Sequence, residues 1–143
     1  MITIRQAEQE IIEEFSIFTD WLDKYEYLIE LGKSLPIIND NGRQESNLIK
    51  GCQSRVWLAA DYREGRIYFT ADSDAIITKG IISLLVRVFS GRTPKEIIDA
   101  DLSFIKEIGL QDNLSPSRAN GLVSMIRQIK FYAVAFAANK EKL

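Results

Sequence analysis

From Ile4 to Ile29 apolar residues recur every three or four positions, the spacing that gathers them on one side of a helix. Ile11, Ile12, Phe15 and Phe18 mark the face of a first helix, and Thr3 with Gln6 supplies the residue types of a capping box at its start. A second helix is expected to begin near Thr19 or Asp20 and to run through Trp21, Leu22, Tyr25, Leu28 and Ile29. Gly32 and then Pro36 read as its stop. The stretch "PIINDNGRQE", 36–45, is polar and predicts a surface loop. Beyond it the period falls to two. "NLIKG" predicts a short strand, "RVWLAADY" a strand with Val56, Leu58, Ala60 and Tyr62 on one face, and "RIYFTA" a strand with Ile67, Phe69 and Ala71 on one face. Arg63, Glu64 and Gly65 join the last two as an antiparallel hairpin, so Cys52 falls in the connection between the first and second strands.

After the strands the helical spacing returns. Ser73 or Asp74 is placed to cap a strongly apolar helix from about Ala75 to Phe89, with Ile77, Ile81, Leu84, Leu85 and Val88 facing the core. Gly80 inside it costs about 1 kcal/mol against alanine, which points to another element packed closely there. "TPKEI" predicts a helix start with Thr93 as cap, Pro94 in the first turn and Glu96 completing the box, and "SPSR" repeats the logic with Ser115 and Pro116. Leu122, Met125, Ile126, Ile129, Ala133 and Phe136 line one side of the last helix. Helices, then strands, then helices is an α+β order: a three-stranded antiparallel sheet with helices packed on one face. A doubly wound parallel sheet would need a crossover helix between consecutive strands. At 143 residues, 46% of them hydrophobic, the chain reads as one domain over 1–143.

Charge narrows the function classes. The 18 bases and 20 acids leave a net charge of −2, which offers no general attraction to nucleic acid or to an anionic membrane. Residues 1–30 nevertheless hold eight acids against Arg5 and Lys24, and 114–143 hold five bases against Glu141, a distribution expected of solvated faces on terminal helices or of a docking surface. The most apolar run, "AIITKGIISLLVRVF", is broken by Lys79 and Arg87, so no membrane span is expected. The N-terminal residues lack the basic and then apolar regions of a secretory signal, and a cytoplasmic protein is expected.

The chain has one cysteine and no histidine. That removes an internal disulfide, a thiolate-rich metal site, and the imidazole-paired thiol of cysteine proteases and acyltransferases. No metal and no cofactor is expected. A thiol acting alone can still attack a sulfur atom activated elsewhere and take it as a persulfide, which requires thiolate and access. Lys50 and Arg55 lie within three residues of Cys52 and are candidates to stabilise the anion, while Gly51 allows a tight loop. On the residues alone, a small buried hydrophobe and a nucleophile both remain open for Cys52. If Cys52 carries sulfur it needs shelter from small thiols, so the loop is expected to tuck against the body and swing out on docking, with side chains of the 75–89 helix forming the pocket.

"GCQSRVWL" resembles the cysteine-loop signature of the SufE family of sulfur acceptor proteins. "YLIELGKSLP", "ADSDAIITKGIISLL" and "NLSPSRANGLVSMI" resemble further family segments in the same order, so the resemblance runs from about Tyr25 to Ile129. It implies a fold shared with IscU-type scaffolds. It also implies that Cys52 accepts persulfide sulfur from a pyridoxal-phosphate-dependent, SufS-like cysteine desulfurase, stimulates that enzyme, and delivers to a SufBCD-like iron–sulfur scaffold. A non-catalytic activator docked on the desulfurase is the alternative, and an IscU-type fold turned to protein binding is a third. Arg118 matches the family arginine expected near the cysteine loop, and Gly51, Gln53, Ser54, Arg55 and Asp74 complete the candidate supporting or partner-contacting set. Where the family often has histidine this chain has Asn113, so no role of that histidine is inherited.

Overall fold

The computed structural model describes residues 2–36 and 38–141. Ile37 of the expected 36–45 loop, and Lys142 of the basic C-terminal stretch, lie outside the described residues.

Helix α1 spans Ile4–Ser16 and α2 spans Trp21–Lys33. The capping box at Thr3 and Gln6 is formed in both directions, and Asp20 caps α2 by accepting from the Asp23 amide at 2.9 Å. Strands β1, Val56–Arg63, and β2, Arg66–Ser73, form an antiparallel pair. Helix α3, Ile76–Phe89, follows, then α4, Pro94–Asp99, α5, Ser103–Glu107, and the long α6, Pro116–Glu141. The Thr93 box opens α4, with Pro94 in its first turn.

The architecture is α+β, and the sheet has two strands rather than three. The stretch expected as a first strand makes only one bridge, Leu48 to Trp57, with the Ile49 amide donating to the Val56 carbonyl at 2.8 Å. Turns on both sides cut it short. A 3-10 turn over Glu45–Asn47 takes the Leu48 amide, and Gly51, at φ +93°, sends the chain away from β1. The opposite edge of β2 is covered by a bridge from Ile67 to Arg92. The hairpin turn is also tighter than expected. Arg63 still pairs with Arg66, leaving Glu64 and Gly65 at φ 53° and 80°, the left-handed pair that suits a two-residue hairpin.

Register sets the faces of the sheet. Val56, Leu58, Ala60 and Tyr62 stand opposite Ser73, Ala71, Phe69 and Ile67, and this side meets the helices, with Tyr62 stacked on Phe136 and Phe69 against Tyr132 of α6. Ile81, Ile82, Leu84, Leu85, Val88 and Phe89 of α3 are almost fully buried, so this helix runs through the middle of the core. Gly80 explains how close its neighbours come: a methyl group there would lie 2.3 Å from the Leu28 carbonyl oxygen of α2. Gly32 answers from the other helix, where a methyl would lie 2.9 Å from the Gly80 nitrogen. Gly32 is therefore not the stop expected of it. The helix continues to Lys33 with Ser34 as cap, and the glycine serves the helix crossing.

Candidate functional site: the Cys52 loop

Residues 50–55 leave the Leu48 bridge, turn at Gly51 and enter β1 at Val56. Their far end is fastened by backbone chemistry. The Arg55 amide donates to Asp74 Oδ1 at 3.1 Å, the Asp74 amide returns a bond to the Arg55 carbonyl at 3.2 Å, and the Ser73 hydroxyl donates to the same carbonyl at 2.9 Å. Neither Ser73 nor Asp74 is the helix cap expected from their position. The cap residue is Ala75, whose amide donates to Ser73 Oγ at 3.2 Å, because Ser73 is still paired in β2 and Asp74 is spent on the loop. Asp74 thus holds the stem of the cysteine loop.

The near end rests on α6. The left-handed backbone of Gly51 is pressed against Ser124, and a methyl group in its place would lie 2.4 Å from Ser124 Oγ. Cys52 is half-buried, and its thiol donates to the Gly121 carbonyl at 3.7 Å, a hydrogen-bond distance for sulfur. A methyl on this glycine would lie 3.5 Å from Sγ, an ordinary contact, so the space beside the sulfur admits a methyl but no long side chain.

A cleft of about 330 Å³ opens beside the thiol. Cys52, Gln53 and Ser54 form its loop wall, Thr78 and Ile81 come from α3, Ser115 lies just ahead of α6, and Ser117, Arg118, Gly121 and Met125 come from its first turns. The fold brings Arg118 into the same cleft as Cys52 although the two are far apart in sequence. Arg118 is exposed, and its backbone amide donates to Ser115 Oγ at 3.4 Å, so the guanidinium is not occupied in capping.

Electrostatics differ from the sequence expectation. Burial pushes the Cys52 thiol above the ordinary cysteine range, and no cation among the described residues offsets that rise. Arg55 is anchored through its backbone with the side chain exposed, and Lys50 lines a different cleft together with Arg127. The thiol is half-buried, and its burial favours the neutral form. The walls of the cleft come from α3, as expected, and also from α6, which the sequence reading did not include. Gly121 carried a usable signal: a glycine inside a helix costs about 1 kcal/mol against alanine, the argument that singled out Gly80. Asn113 lies elsewhere. Its carbonyl accepts from the Tyr25 hydroxyl and its side chain donates to the Gly109 carbonyl at 2.9 Å, closing the turn before α6.

Among the described residues no group of three or more histidine, cysteine or carboxylate side chains is arranged to hold a metal ion. No described helix is long and apolar enough to cross a membrane.

The fold matches a solved solution structure of a hypothetical protein from Thermus thermophilus with a TM-score of 0.75, covering 94% of this chain and 97% of that one at 19% identity. An uncharacterized SufE-like protein of Synechocystis sp. is 38% identical over 126 residues, which cover 88% of this chain and 79% of the relative. An uncharacterized SufE-like protein of Rhizobium meliloti is 41% identical over 126 residues, covering 85% of this chain and 90% of the relative. The SufE family profile, described as an Fe-S metabolism associated domain, matches residues 9–133, a span that holds the cysteine loop, its Asp74 stem and the α6 wall. The chain therefore belongs to the SufE family.

Proposed function

We propose that the chain is one sulfur-acceptor domain over 1–143 that works in a reducing compartment, the cytoplasm. Cys52 takes sulfur from the persulfide of a pyridoxal-phosphate-dependent, SufS-like cysteine desulfurase and passes it to a SufBCD-like iron–sulfur scaffold. The observation that carries this reading is the lone thiol seated beside Arg118 in a cleft, on a short loop pinned at Asp74 and resting on α6.

The chemistry needs one thiolate. Cys52 S⁻ attacks the terminal sulfur of the donor persulfide, the new S–S bond forms on Cys52, and the donor cysteine leaves as its thiolate. The sulfhydryl hydrogen travels with the transferred sulfur, and no outside oxidant or reductant is consumed. Delivery repeats the step with Cys52 as leaving group.

Shelter serves the persulfide, because exchange with small thiols depends on access. Burial that raises the thiol pKa slows attack in the free protein, so docking must bring the loop outward, with Gly51 as the hinge and the Asp74 clamp limiting the motion to residues 50–55. Gln53 and Ser54 then face the partner from the loop.

Mass spectrometry after incubation with a desulfurase and cysteine tests the reading. Cys52 gains the mass of one sulfur in the wild type and Cys52→Ser gains none while still binding the desulfurase. A Cys52→Ser protein that raises desulfurase turnover as fully as wild type, without added reductant, makes the protein a non-catalytic activator instead.

A further inference from the structure

A second cleft, of about 440 Å³, adjoins the cysteine loop at Lys50. Ser46, Leu48 and Lys50 line one side, and Ser124, Arg127 and Gln128 of α6 line the other. No carboxylate lines it, and Lys50 and Arg127 are both exposed with no ion pair or side-chain hydrogen bond among the described residues.

Most of the other bases among the described residues are engaged. Arg43 pairs with Asp72, Arg87 with Glu14 and Lys95 with Asp99, while Arg92 and Lys130 donate to backbone carbonyls. The side chains of Arg55 and Arg118, like those of Lys50 and Arg127, are exposed and have no such partner among the described residues. Unpaired positive charge therefore gathers around the one cysteine of a chain whose net charge is −2.

Resting on the sulfur-acceptor reading, we propose that the Lys50–Arg127 cleft docks a carboxylate-bearing segment of the protein that donates sulfur to Cys52. The cleft offers an ammonium, a guanidinium, two hydroxyls and an amide, all able to donate to carboxylate oxygens, and no acid to repel them. A short acidic segment fits better than a long polyanion, because the eight acids of residues 1–30 oppose anything that extends across the molecule. Position couples docking to chemistry. Lys50 precedes the Gly51 hinge, and Ser124, where Gly51 rests, is part of the cleft lining, so a bound carboxylate engages both sides of the contact that seats the loop.

The test compares persulfide formation on Cys52 from two donors, a desulfurase with cysteine and a small alkyl persulfide that carries no carboxylate. The double variant Lys50→Glu/Arg127→Glu is expected to load at least tenfold more slowly from the desulfurase and at the wild-type rate from the alkyl persulfide. Lys106→Glu, an exposed base remote in sequence from the loop, should match wild type with both donors. Raising ionic strength to about 1 M, where screening length falls to about 3 Å, should slow wild-type loading from the desulfurase and leave the double variant little changed. Lys50→Gln/Arg127→Gln should fall between, and it decides the matter if charge reversal lowers the melting temperature.

Equal loading of variant and wild type from the desulfurase overturns the docking proposal. So does equal slowing with both donors, which would place the bases in the thiol's own reactivity, and so does a wild type loaded only by the alkyl persulfide. A wild type that neither donor loads overturns the sulfur-acceptor reading itself.

Discussion

Cys52 and Gly121 meet side chain to backbone, with Sγ 3.7 Å from the carbonyl oxygen and room for little more than a methyl group between the glycine Cα and the sulfur. The seat of the thiol is thus a missing side chain on α6. Its depth sets how much of the sulfur small molecules reach.

Substitutions at Gly121 should grade that access. Gly121→Ala places a methyl 3.5 Å from Sγ, an ordinary contact, so the thiol stays seated and the helix gains up to about 1 kcal/mol. Gly121→Leu has no such space and pushes the loop outward. Iodoacetamide kinetics check both: alanine should keep the slow wild-type rate, and leucine should approach the rate of the denatured chain.

The raised pKa of Cys52 gives a signed pH dependence. Burial makes the folded chain favour the neutral thiol, so this contribution to stability is complete below the ordinary thiol pKa of about 8.5. It is lost as pH rises through the higher folded value. Denaturant melts across the alkaline range should show a loss in wild type that is reduced in Cys52→Ser, and the alkylation midpoint should lie higher in the folded than in the unfolded chain.

Arg118→Ala separates function from stability. The residue is exposed and its capping bond uses the backbone, so unfolding free energy should change by less than about 0.5 kcal/mol. Sulfur acceptance from a desulfurase should slow by about tenfold, equivalent to about 1.4 kcal/mol of barrier. Stopped reactions analysed by mass spectrometry measure it, and an unchanged rate would leave Arg118 without a part in transfer.

The helix crossing makes the opposite prediction. Gly80→Ala drives a methyl to 2.3 Å from the Leu28 carbonyl oxygen, backbone that cannot rotate away, and should cost at least about 2 kcal/mol despite alanine's better helix propensity. Calorimetry should show a lower melting temperature with the Cys52 cleft chemistry still present in the folded fraction.

Local rules acted wherever partners lie within a few residues. The capping boxes at Thr3 and Thr93, the face of the hairpin and the apolar helix after it were legible because periodicity and capping depend on neighbours in sequence. The cysteine loop was legible for a different reason: one thiol without histidine leaves few chemistries, and the motif around it carries the resemblance to the SufE family, to which the chain belongs.

Tertiary structure decided what depends on distant pieces meeting. "NLIKG" alternates like a strand, yet the Gly51 turn leaves it one bridge. Gly32 looks like a stop when read locally and is a contact once Gly80 lies against it. The nearby cations Lys50 and Arg55 suggested an activated thiol, but the field at a side chain is set by what surrounds it in space: Cys52 rests on the Gly121 backbone, and although Arg118 lines the same cleft, burial is what shifts the thiol. Proximity in sequence placed the thiol on its loop, and only packing between the loop and a helix some seventy residues later decided whether it was sheltered or exposed.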